Sequence, residues 1–169
     1  MNRHQAPAAA PGYSLPELLV AVAVLGLLAA LSISSGSETL ARQRLEVVAR
    51  RLDQGLNRAR AEAQRQGVPC GLSLQAEGWR PPGDGSGLPP CFNDPQRLSE
   101  LVGGAEVRIS HNLPAQLRFS RNGLVLDGGT VVLSTAGTDL QRCLVMALPL
   151  GITRLGRYGP GGCQPDPTL

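Results

Sequence analysis

Residues 12–33 read GYSLPELLVAVAVLGLLAALSI, and from residue 18 to residue 37 the chain carries no charged side chain. Twenty residues at helical rise reach about 30 Å, the thickness of a bilayer's hydrocarbon core. One carboxylate, Glu17, stands at the mouth of the run, and ahead of it come Arg3 and His4 but no acid. A basic leader keeps that end on the cytoplasmic side. An unpaired carboxylate at the edge of hydrocarbon costs about 2–3 kcal/mol, which makes Glu17 a functional candidate. Three plainer readings compete. A secretory signal peptide places its basic residue next to the apolar run and ends in small residues of the A-x-A kind; here an acid borders the run, and LSISSGS is a poor cleavage site. A simple anchor gives Gly12 and Glu17 no reason to be there. A core helix of a soluble protein would not be apolar on every face for so long.

The helix is expected to continue where the charges begin. Residues 38–66 contain no proline, and Leu45, Val48, Leu52, Leu56, Ala59 and Ala63 recur at steps of three and four. That is one apolar stripe on an otherwise charged helix. Gly67 supplies its stop, and Pro16 lies near its start, where a missing N–H costs little. The expectation is one helix of about fifty residues, greasy in its first half and amphipathic in its second.

Residues 68–74 predict a strand that reaches Trp79 through a turn at Glu77–Gly78, and residues 80–95 (RPPGDGSGLPPCFNDP) predict an exposed loop. The GDGSG within that loop lacks the flanking strand and helix of a phosphate cradle. Residues 96–102 predict a short helical turn. The period then changes to two: Ala105, Val107 and Ile109 alternate with polar residues, as do Leu117 and Phe119. Asn122–Gly123 is a hairpin signal, and further turns separate strands over 130–134, 140–148 and 152–158. An antiparallel meander of this kind needs cover on its apolar face, and the helix stripe is the natural cover. The fold class is therefore α+β. The segments are a leader (1–12), an apolar helix (13–37), an amphipathic helix (38–66), a β-rich head (67–158) and a tail (159–169) held by Cys163.

Composition narrows function further. With 169 residues, this is one modest domain plus an anchor. All 16 basic residues are Arg, and the net charge of +3 does not by itself argue for nucleic acid. Aromatic content is 3%, so the core must be aliphatic. Cys70, Cys91, Cys143 and Cys163 form no CxxC pair. Beyond the membrane, disulfides persist, and three pairings are open. Pairing sequence neighbours would close two loops, each worth roughly 3 kcal/mol. The spacings do not suit zinc, and a mature chain keeps only His111. No GxSxG and no Ser/His/Asp set is present, so neither an enzyme nor a cofactor or metal site is expected.

The glycine, the carboxylate and the uncharged span together resemble the class III signal of type IV pilins and type II secretion pseudopilins. Within that class, Ala59-Arg60-Ala61-Glu62-Ala63 with Arg65-Gln66-Gly67, Phe119 with Gly123, and Arg142-Cys143-Leu144-Val145 with Gly151 and Arg154 are similar to the motifs of GspH/FimT minor subunits. The resemblance implies a long N-terminal helix capped by a β-sandwich-like head. It also implies cleavage by prepilin peptidase between Gly12 and Tyr13, and N-methylation of Tyr13. Glu17 would pair with the Tyr13 amine of a neighbouring subunit as the fibre assembles. The implied partners are the peptidase, the inner membrane and other major and minor subunits. The implied location is a single-pass inner-membrane protein with a periplasmic head, later part of a pilus or pseudopilus. Some FimT-like proteins are linked to DNA uptake through a G-R-x-R element. Here Gly151-Ile152-Thr153-Arg154 lacks the first Arg, which leaves Arg154, Arg157 and Arg121 as candidate phosphate contacts. Arg side chains on the solvated face of an edge strand are the alternative. The favoured expectation is a minor type IV pilin that initiates or tips the fibre; the alternative is a minor pseudopilin of type II secretion.

Overall fold

The computed structural model describes residues 12–98 and 106–166, with the side chains of residues 31–35 excepted. Residues 1–11 of the expected leader, most of the expected helical turn at 96–102, and the last three residues of the expected tail lie outside that range. Helix α1 (Leu15–Gln66) is followed by two antiparallel sheets. The chain divides into two compact units, Met1–Ser37 and Glu38–Leu169.

In the second unit, every member of the predicted stripe is buried, joined by Ala41 and Ala49. Steps of three and four keep these side chains over one another on a single face. The helix ends at Gly67, whose φ of 67° lets its N–H reach the Ala63 carbonyl at 3.0 Å. In the last turn, hydrogen bonds from the Arg65 guanidinium and then from Gln66 hold the Glu62 carboxyl well below its ordinary 4.5, at about 2.

The smaller sheet contains β1 (Cys70–Gln75), β2 (Gly78–Arg80), β3 (Gln96–Arg97) and β5 (Leu117–Phe119), in the order β3-β2-β1-β5. The larger contains β4 (Val107–His111), β6 (Gly129–Thr135), β7 (Arg142–Ala147), β8 (Ile152–Gly159) and β9 (Gly162–Pro165), in the order β4-β6-β7-β8-β9. Their inner faces and the α1 stripe enclose one core that includes Trp79, Phe119, Leu133 and Leu144.

Three expectations are corrected. The strands after residue 105 do not form one meander, because β5 leaves to pair with β1, Cys70 facing Phe119 and Leu72 facing Leu117. Pro114 interrupts the chain after β4, and both Leu117 and Phe119 reach full burial in the other sheet. Gln96 and Arg97 are strand rather than helical turn. They pair with Trp79 and Gly78, where a side chain on Gly78 would place Cβ 2.1 Å from the Gln96 carbonyl oxygen. The tail is held by more than Cys163: a turn with Gly162 at φ 90° folds β9 back onto β8, so β8 is no edge strand. The Arg142 guanidinium adds an ion pair to Asp166 at 2.6 Å.

The disulfides join Cys70 to Cys91 and Cys143 to Cys163, across separations of 21 and 20 residues. The first ties the proline-rich loop to β1, and the second ties the tail to β7. Removing either bridge as a Cys→Ser pair is expected to lower unfolding stability by about 3 kcal/mol, read from denaturant midpoints. An unchanged midpoint in both pairs would contradict that account.

Candidate assembly site

The first turn of α1 is set by Ser14-Leu15-Pro16-Glu17. Ser14 caps the helix and Glu17 lies three residues on, the spacing of a capping box. The Ser14 N–H and hydroxyl lie 3.4 and 3.5 Å from Glu17 Oε2. Those are long contacts. They orient the carboxylate over the helix start without sequestering it, and Glu17 is exposed. Its negative charge also sits at the positive end of the helix dipole. Tyr13 and Gly12, next to it, are exposed as well.

Beyond Glu17 the exposed side chains are apolar on every face: Leu18, Leu19, Val20, Val22, Val24, Leu25, Leu27 and Leu28 are all solvent-facing. A helix apolar all round calls for an apolar environment outside its own chain. Among the described residues, no helix is long and apolar enough to cross a membrane; the side chains of residues 31–35, inside the uncharged run, are not among them.

Of the three arginines raised as phosphate contacts, the two on β8, Arg154 and Arg157, face opposite sides of the sheet. Arg154 faces Val145 across β7 and β8, whereas Arg157 faces Arg142, whose guanidinium reaches Glu46 of α1 at 3.3 Å. Directly opposed residues share a face, and positions three apart on a strand do not. Arg157 is therefore on the helix side, lining a cavity with Arg42 and Asp139, and Arg154 is on the other side. Arg121 lies in the turn after β5, where Gln64 of α1 bonds the Asn122 carbonyl. Among the described residues, no group of three His, Cys, Asp or Glu side chains could hold a metal.

Sequence reasoning missed how α1 is locked to the sheets. The Trp79 indole N–H donates to the Leu52 carbonyl at 3.1 Å, and Gly55, one turn on, leaves room for its ring. The signal was a glycine inside a helical pattern, which costs about 1 kcal/mol against Ala and so asks for a packing reason. On the larger sheet, Thr153 donates to Asp53 of α1. Arg142, 12% exposed, bridges Glu46 and Asp166.

A helix with a first-turn carboxylate, whose second half closes over two antiparallel sheets, has the α+β architecture expected of a pilin-like subunit. The family model described as type II transport protein GspH matches residues 48–149, more than half of the chain. The chain belongs to the GspH family. No curated protein and no solved structure matches it.

Proposed function

We propose that the chain is a minor subunit of a type IV pilus, cut by prepilin peptidase between Gly12 and Tyr13 and methylated on the new amine. Residues 13–37 hold it in the inner membrane, with the head in the periplasm, until assembly draws it into the fibre. It acts by assembly, with no catalytic step and no cofactor. Glu17 carries this reading: an exposed carboxylate in the first turn, next to an all-apolar helical face. In hydrocarbon or a fibre core such a charge persists only beside a counter-charge. The Tyr13 ammonium of the adjacent subunit supplies one. DNA uptake is not part of this reading, since Arg154 and Arg157 stand on opposite faces of the sheet.

A second reading, a minor pseudopilin of type II secretion, is favoured by the description of the matched family. Mass spectrometry of the native protein is expected to find a chain beginning at methylated Tyr13, and deletion of the gene is expected to reduce surface fibres. A different N-terminus overturns both readings. Intact fibres with failed export of folded exoproteins select the second.

A further inference from the structure

Two turns of the head are apolar throughout: Gly123-Leu124-Val125-Leu126 and Ala147-Leu148-Pro149-Leu150-Gly151-Ile152. Surface turns are ordinarily rich in Asn, Asp and Ser, whose side chains bond to nearby backbone. Here Leu124, Leu126, Leu148, Leu150 and Ile152 are exposed instead, Leu126 by 63% and Leu150 by 51%. The turns are docked on one another. The Val125 N–H donates to the Pro149 carbonyl at 3.1 Å, and a Cβ on Gly151 would fall 2.4 Å from Val125 Cγ2. Val125 is buried between them, and Leu148 lies against Gly128. Arg60 and Gln64 of α1 fix the first turn through the Gly123 and Asn122 carbonyls. The exposed side chains thus form one apolar end of the head, of the kind that marks a protein or membrane contact.

The described neighbours of residues 99–105 and 167–169 lie elsewhere. Glu106 and Asp166 are beside Thr135 and Arg142, at the opposite end of the larger sheet, and Leu98 follows β3, on the edge of the smaller sheet away from β5. Two exposed arginines flank the apolar turns: Arg121 three residues before Leu124, and Arg154 on the same face of β8 as Ile152. Among the described residues, no acidic side chain pairs with either one. Asp127, the acid next to Leu126, is engaged by Arg118 at 3.6 Å.

We propose that this end of the head docks on an anionic phospholipid bilayer, its leucines entering the acyl boundary and its arginines reaching headgroup phosphates. The backbone is prepared for apolar surroundings, where an unsatisfied N–H is expensive. Besides Val125, the N–H groups of Gly123, Leu124 and Gly151 donate to the Ser120 carbonyl, the Ser120 hydroxyl and the Ala147 carbonyl, and Pro149 has none to satisfy. A specific protein partner asks for hydrogen bonds and aromatic anchors, and neither turn carries a polar or aromatic side chain. Hydrocarbon asks for no directional contact, and an anionic surface supplies the charge that Arg121 and Arg154 lack. The inference does not rest on the assembly reading.

The test uses full-length chain in phosphatidylcholine nanodiscs, mixed with vesicles of phosphatidylglycerol or of phosphatidylcholine and followed by co-flotation. Capture by phosphatidylglycerol vesicles is expected. It should weaken about tenfold or more in L126S/L150S, whose side chains are already exposed, so the thermal melt should not change. R121Q/R154Q should weaken capture at low salt, with the difference fading as salt is raised. R108A, which alters an exposed β4 residue away from these turns, should float like the unaltered chain. No capture, equal capture by phosphatidylcholine vesicles, or equal capture of L126S/L150S would each overturn the proposal. So would pairing of discs without vesicles that L126S/L150S abolishes, since a second copy would then be the occupant. A chain that stays out of the discs speaks against the membrane anchoring of the assembly reading, and is floated directly with the same vesicles and the same expected outcomes.

Discussion

Glu17→Gln is expected to leave cleavage after Gly12 intact and to reduce the subunit's presence in sheared fibres by about a hundredfold or more. The magnitude follows from what the exchange leaves behind. In the fibre core a paired carboxylate and ammonium satisfy each other, and breaking a buried pair from one side costs about 3–5 kcal/mol, because the remaining charge stays in low dielectric without a partner. Glutamine keeps the shape and the weak reach to the Ser14 N–H, so the start of α1 is preserved. In the proposed processing the cut falls ahead of Tyr13, on a segment the substitution does not touch. The head's core is built wholly from residues beyond 40, so its melting temperature is expected to be unchanged, which separates lost assembly from lost folding. Glu17→Asp retains the charge on a shorter arm and should recover part of the incorporation. Fibres carrying Glu17→Gln subunits at the normal level would end this role for the carboxylate.

How much of this could be read ahead depends on the range over which each feature is decided. The α1 stripe was legible because burial on one face dictates spacing along the chain itself, and Leu45 through Ala63 obey it. The Asn122–Gly123 turn was legible for a similar local reason: Gly123 sits at φ 73° and donates to the Ser120 carbonyl at 2.8 Å. The transfer of β5 to the small sheet was not, since its partner β1 lies far back in the chain and loop closure, not propensity, decides the pairing. Gln96–Arg97 has no strand character of its own and becomes one only against Gly78 and Trp79. In the tail the signal was present and misread: Pro160-Gly161-Gly162 is a turn that returns β9 to β8, not the start of loose chain. The split between Arg154 and Arg157 was readable too, because an odd spacing on a strand always separates two side chains.

Gly55→Ala offers the sharpest test of how the helix is fixed to the head, because helix propensity and packing predict opposite signs. Alanine is the better helix former by about 0.8–1 kcal/mol in a helix interior. At this position, however, the added Cβ would stand 2.3 Å from Trp79 Cδ1 and 2.5 Å from Nε1, well inside contact distance. The ring has nowhere to go: Trp79 is fully buried, and moving it gives up the bond from its indole N–H to the Leu52 carbonyl. Overpacking costs about 1–3 kcal/mol and an orphaned buried donor a similar amount, so packing outweighs propensity. The expected net loss is about 2–4 kcal/mol, or roughly 5–15 °C in the melting temperature of a domain this size. Trp79→Phe removes the indole edge that the new methyl strikes, at the cost of a cavity. In the double variant the two losses should therefore sum to clearly more than the loss measured, by about 1 kcal/mol or more. Strict additivity would place the cause elsewhere, and a Gly55→Ala chain melting at or above the unaltered one would show that α1 is not held against Trp79 as described.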